Sequence, residues 1–171
     1  MSIKYKRSQG GFTIIESLVA LAVLGVALGP MLAMASMASN VSAAVKNNLT
    51  GAMLAQEGVE VVRALRDANW LNSVEFDQGL VGTWILQSDT NLANKSPEPI
   101  NIDEDNQYLR FNAETGLYNY DSGTDTIFRR KITITKNPTN EDEMIVVCEV
   151  TYKNRSSDKV IRIEDHLYDW K

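Results

Sequence analysis

Gly10-Gly11-Phe12-Thr13-Ile14-Ile15-Glu16 is the stretch that organises this chain, because no charged side chain follows Glu16 until Lys46. A charge-free run over 17–45 exceeds the roughly 20 residues that a membrane-crossing helix needs. Its most apolar part covers 17–34, and Lys4, Lys6 and Arg7 precede it. That order inverts a secretory signal, in which the apolar stretch comes first and the small-residue cut site follows it. Here a cut between Gly11 and Phe12 would remove a basic leader and leave the hydrophobic helix on the product. The product would begin with a bulky apolar residue and carry one carboxylate, Glu16, four residues on.

The positive leader predicts an N-terminus in the cytoplasm and a C-terminal part outside. A carboxylate costs on the order of 2.5–3.5 kcal/mol at mid-bilayer and less near the interface, and such residues usually have a functional partner. After a cut at Gly11-Phe12, the partner on offer for Glu16 is the new α-amino group of Phe12. The pair can form weakly within one helix, one turn apart, or between two subunits, where it would neutralise both charges in an apolar interior. Gly25 and Gly29 have the small-xxx-small spacing that lets helices approach closely in lipid. Pro30 removes a hydrogen bond to the Val26 carbonyl and crowds that turn, so a kink is expected around Gly25, Gly29 and Pro30.

Helical patterning continues past the membrane segment. Over 36–67 there is no proline, and Leu54, Gly58, Val61 and Leu65 fall at i, i+4, i+7 and i+11, with Leu49, Ala52 and Met53 on an adjacent stripe. Glu60–Arg63 and Arg63–Asp67 have the spacing of surface ion pairs. The helix is expected to end at Asp67-Ala68-Asn69-Trp70. It would be roughly 80 Å long at 1.5 Å per residue, apolar all round in its first half and amphipathic in its second. A short strand is expected within 80–86, a polar connection over 87–99, and a hairpin from 108–112 and 117–120 around Ala113-Glu114-Thr115-Gly116. Alternation over 128–135, 144–152 and 160–167, joined by turns at 137–140 and 154–157, predicts an antiparallel meander whose apolar face the amphipathic half-helix covers. The fold class is α+β: a long N-terminal helix, membrane half plus amphipathic half, packed on a C-terminal antiparallel β-sheet. The expected division is leader 1–11, membrane and assembly half 12–36, and globular head 37–171.

Composition narrows the chemistry. The net charge is −5. The leader's three basic side chains contribute +3, so its removal leaves −8, which disfavours nucleic-acid binding by bulk electrostatics. The triplet Arg129-Arg130-Lys131 reads as a solvated strand end beside acidic neighbours. Cys148, the single cysteine, alternates with Met144, Val146, Val150 and Tyr152 and reads as a small core residue. His166, the single histidine, reads as a surface or rim residue, and the chain lacks the partners for a metal site or a Ser/His triad. Asp103-Glu104-Asp105 and the Asp121, Thr124, Asp125 turn have partial calcium-loop patterns without the full ligand set, and both read as solvated acidic loops. Trp70, Trp84 and Trp170 read as core and rim packing. No catalytic residue, metal site or cofactor is expected, and the chain reads as a non-enzyme.

The first 36 residues resemble the type IV prepilin signature: a short basic leader, Gly at the cut, Phe at the new N-terminus, Glu four residues later, then a membrane-length apolar run. The resemblance implies a pilin-like fold and a substrate for processing. A prepilin peptidase would cut at Gly11-Phe12 and methylate the Phe12 amine. The implied partners are other pilin subunits, the peptidase, an assembly platform and the membrane. Glu16 would set the register of an incoming subunit against the Phe12 amine of a neighbour. The implied location is the bacterial or archaeal cytoplasmic membrane, single-pass with the C-terminal domain outside, then an extracellular or periplasmic filament. The segment 57–70 (EGVEVVRALRDANW), the closing Leu167-Tyr168-Asp169-Trp170 and the lack of an internal disulfide are similar to minor pilins. A secretion or competence pseudopilin, a non-polymerising membrane-anchored adhesin and a tethered enzyme with a scattered site are the other readings.

Overall fold

The computed structural model describes residues 10–86, 107–154 and 157–170. The basic leader residues Lys4, Lys6 and Arg7, the polar connection over 87–99 and the Asp103-Glu104-Asp105 run lie outside the described residues, as do two residues of the 154–157 turn. One helix, α1 (Ile14–Leu71), is followed by β1 (Gly82–Trp84), β2 (Arg110–Phe111), β3 (Tyr118–Asn119), β4 (Thr124–Asp125), β5 (Phe128–Asn137), β6 (Asn140–Asn154) and β7 (Ser157–Tyr168). The chain divides into two compact units, Met1–Ala44 and Val45–Lys171.

The second unit is a helix on a sheet. Its four strands are antiparallel in the order β1-β5-β6-β7. The long strands are the meander that alternation predicts, each extended beyond its apolar run by polar residues at the turns. Asn137 pairs with Asn140 around Pro138-Thr139, and the Asn137 side-chain oxygen accepts the Thr139 N–H at 2.9 Å. One row of the register runs Trp84, Ile132, Cys148, Ile163 across all four strands. Period-2 alternation sends Phe128, Ile132 and Ile134 of β5 and Met144, Val146, Cys148, Val150 and Tyr152 of β6 to the buried face. Leu54, Ala55, Val59, Val62 and Leu65 of α1 complete the core.

The buried stripe of the helix differs from the expected one. Leu54, Gly58 and Leu65 are buried, but Val61 is only partly so, and Leu49 and Met53 are 57% and 59% exposed. The contact line follows Gly51, Gly58 and Val62 instead. A Cβ on Gly51 would lie 2.7 Å from Ile161 Cδ1, and one on Gly58 would lie 2.7 Å from Cys148 Sγ. The two glycines bring the helix backbone close to the sheet, and a reading that weights large apolar residues misses that. The ion pairs differ too. Arg63 meets Glu60 at 2.5 Å as expected, but its other nitrogen reaches Asp165 at 2.8 Å, while Asp67 pairs with Arg66.

The helix runs one residue past the expected stop and ends in a Schellman motif. Ser73 N–H donates to the Trp70 carbonyl and Val74 N–H to the Asn69 carbonyl, each at 3.1 Å. Ser73 takes the left-handed position with φ 57°, a place that glycine usually fills. The Asn69 side chain donates to the Phe76 and Gln78 carbonyls and fixes the turn that follows.

Arg130 is the largest departure inside the head. Alternation puts it on the core face, where it is 3% exposed rather than solvated. Its guanidinium donates to the Leu54 carbonyl at 2.9 Å and the Leu86 carbonyl at 2.5 Å, and Glu57 lies 3.4 Å away. It ties helix, strand and the segment after β1 together. Its neighbours do differ in environment: Lys131 pairs with Glu149 at 2.7 Å, and Arg129 stacks over Tyr108 at 4.1 Å. A second small sheet, in the order β3-β2-β4, contains the expected hairpin in shortened form plus β4, which is too short to leave a periodic signal. Gly123 (φ 117°) is required there, because a Cβ would lie 2.4 Å from the Phe111 carbonyl oxygen.

Candidate functional site

The first unit has a different character. Every residue from 10 to 43 is exposed. Phe12, Ile14 and Ile15 are 81%, 83% and 72% exposed. The most apolar window of α1 has a mean hydropathy of 2.3 and none of it is buried. Apolar area left in water forfeits about 25 cal/mol per Å², and contiguous patches of this extent mark a protein or membrane contact. Among the described residues nothing covers this surface.

Thr13 fixes where the helix begins. The Glu16 N–H donates to Thr13 Oγ1 at 3.3 Å, and the Ser17 N–H donates to the Thr13 carbonyl at 3.1 Å, the first helical bond. Thr13 is thus the N-cap, and Thr13-Ile14-Ile15-Glu16 has the capping-box spacing, with an acid in the first turn where the helix dipole favours it. The sequence reading missed this role, although the T-x-x-E pattern carries the signal. Gly10, Gly11 and Phe12 precede the cap, outside the helix and exposed. The Gly11-Phe12 bond and Glu16 are therefore both presented at the surface, on either side of the cap.

Gly25 and Gly29 lie four residues apart, on one helix face. A Cβ on either would meet nothing within 4 Å. Packing among the described residues accounts for Gly51 and Gly58 but for neither of these. Pro30 lies inside α1, which continues through it.

The described residues of the head gather several polar groups. Cys148 is fully buried, and burial pushes its thiol up to about 12. The Glu143 carboxylate is buried between His166, the Tyr168 hydroxyl at 3.0 Å and the Asn137 amide at 2.5 Å. The hydrogen bond from His166 holds Glu143 below the ordinary carboxylate range, and the same bond holds His166, which is half exposed, above its usual value. At the Asp121, Thr124, Asp125 turn, Arg110 donates to the Asp125 carboxylate at 2.8 Å and to the Asp121 carbonyl at 3.3 Å. A guanidinium thus stands where a bound cation would. Trp84 is in the core, while Trp70 meets Trp170 edge to face at 5.1 Å and donates to Asp169 at 3.1 Å. The closing segment folds onto the end of α1 as rim packing.

The prokaryotic N-terminal methylation motif matches residues 6–32. No curated protein matches the chain. No solved structure matches it either.

Proposed function

We propose, from the premise that residues 6–32 carry the signature of type IV pilins and pseudopilins, that this chain is a structural subunit, of the minor kind, in a type IV pilus or related filament. The observation that carries the reading is the uninterrupted exposure of 10–43, with one acid at its start and two glycines whose faces are open. The precursor sits in the cytoplasmic membrane through 12–34 with its head outside. A membrane aspartyl peptidase cuts at Gly11-Phe12 and methylates the new amine. An ATPase-driven platform then moves the apolar helix from lipid into a bundle of like helices.

In that bundle Glu16 faces the Phe12 amine of a neighbouring subunit. Burying either charge alone costs several kcal/mol, so only the register that pairs them is tolerated. Thr13 supports a pair between subunits over one within the helix, because the cap keeps Phe12 out of the helical turn that would bring its amine over its own Glu16. Gly25 and Gly29 permit close helix approach, and Pro30 leaves the Val26 carbonyl free of its usual donor. The test is Glu16→Ala in cells that assemble filaments. Normal shortening of the precursor with loss from sheared filaments is expected; normal incorporation would remove the register role.

A further inference from the structure

We propose that Thr13 is a positioning residue for processing: by capping α1 it holds the Gly11-Phe12 peptide outside the helix, in the only state a peptidase can cut. This rests on the processing proposed above. The reaction adds water across one bond. The Gly11 C–N bond to Phe12 breaks, the Gly11 carbon takes the hydroxyl and becomes a carboxylate, and the Phe12 nitrogen takes the proton and becomes the free amine.

Cutting requires access to the carbonyl carbon from outside the backbone's own hydrogen bonds. Were the helix one turn longer, the Gly11 carbonyl would accept the Ile15 N–H, as every helical carbonyl accepts from i+4. Cleavage would then wait for local unwinding, and its rate would follow the population of the open form. The observed boundary avoids this. Thr13 Oγ1 holds the Glu16 N–H, the first helical bond ends on the Thr13 carbonyl, and Gly10 to Phe12 are non-helical and exposed. Among the described residues a Cβ at Gly10 or Gly11 would meet nothing within 4 Å, so packing around the glycine pair does not enforce that state. Phe12 and Thr13 have no intrinsic bar to helix. The hydroxyl of Thr13 therefore sets the boundary, with the low helix propensity of the glycine pair behind it.

The experiment is a pulse-chase of the full chain in cells with an active peptidase, following the shift from precursor to shortened product. Thr13→Val keeps the side-chain shape and removes the hydroxyl; Thr13→Ser keeps the cap and removes the methyl. Thr13→Val is expected to shorten about five-fold more slowly, the population shift that loss of a typical cap produces, and Thr13→Ser at close to the wild-type rate. Amide exchange at Ile15, whose N–H would gain the Gly11 carbonyl, is expected to slow in Thr13→Val alone when read in detergent micelles on the unprocessed chain. Equal rates for Thr13→Val and wild type would overturn the proposal. So would equal slowing of Thr13→Ser and Thr13→Val, which would mean that the peptidase reads the whole threonine side chain and not the cap. If the wild-type precursor is not shortened at all, the processing reading itself falls, and this role with it.

Discussion

Gly58→Ala separates the two kinds of glycine in α1. A Cβ at Gly58 would lie 2.7 Å from Cys148 Sγ, 3.1 Å from Ile132 Cδ1 and 3.2 Å from Arg130 Cδ. None of the three is free to move. Cys148 and Ile132 are fully buried, and the Arg130 guanidinium is fixed on the Leu54 and Leu86 carbonyls. Overpacking of this kind costs about 1–3 kcal/mol, and three simultaneous close contacts put the site at the upper end. Alanine returns about 1 kcal/mol through its helix propensity. The net is a loss of about 2 kcal/mol, which lowers Tm by roughly 4–8 °C for a chain of this size. The assay is thermal unfolding of the full chain in detergent, followed by tryptophan fluorescence, since Trp84 is in the affected core. Gly25→Ala is the control and should melt at or slightly above wild type, having open space for its methyl. Cys148→Ala in the Gly58→Ala background removes the nearest atom and should recover part of the loss. A Gly58→Ala protein that melts with or above Gly25→Ala would refute the close approach of helix and sheet.

Three further outcomes follow from the head. Glu143 is held low and His166 high by their shared hydrogen bond, so the pair stabilises most between the ordinary carboxylate range and the ordinary imidazole range, and the stabilisation is lost over the interval up to the raised His166 value. Stability should fall as pH rises through that His166 value, above its usual 6.5 or so, and again as pH drops through the lowered Glu143 value; a urea titration across pH should show the upper fall vanish in His166→Gln. The Cys148 thiol, buried and pushed up to about 12, should resist iodoacetamide at pH 8 in the folded protein and react only in denaturant. Ser73→Gly relieves a left-handed residue at the helix C-terminus and should raise stability by about 1 kcal/mol in urea unfolding.

Much of the fold is written as periodicity. The charge-free run to Lys46 and the alternation around Ile132, Cys148 and Ile161 are strong because each repeats one environment many times. The features that escaped are single-residue events. Gly51 and Gly58 set the helix contact line through the absence of a side chain, which apolar counting does not register. Arg130 hid inside a basic triplet whose strand alternation separates its members to opposite faces. Ser73 fills a C-terminal cap without the glycine that would announce it, and β4 is too short to have a period. At the candidate site, spacing and charge single out Gly11, Phe12, Glu16, Gly25, Gly29 and Pro30 in the sequence, and the roles given to them are part of the proposal. Thr13 was legible too, in the T-x-x-E pattern, but the cap is a local hydrogen bond that the apolar run around it obscured.

The central claim is that the apolar helix is delivered to its partners by a cut that leaves Phe12 as the N-terminus. Intact-mass measurement of the protein purified from native membranes tests it most directly. A chain lacking residues 1–11 and heavier by one methyl group at Phe12 is the expected result. A chain still running from Met1 to Lys171, with the peptidase active in the same cells, would contradict it.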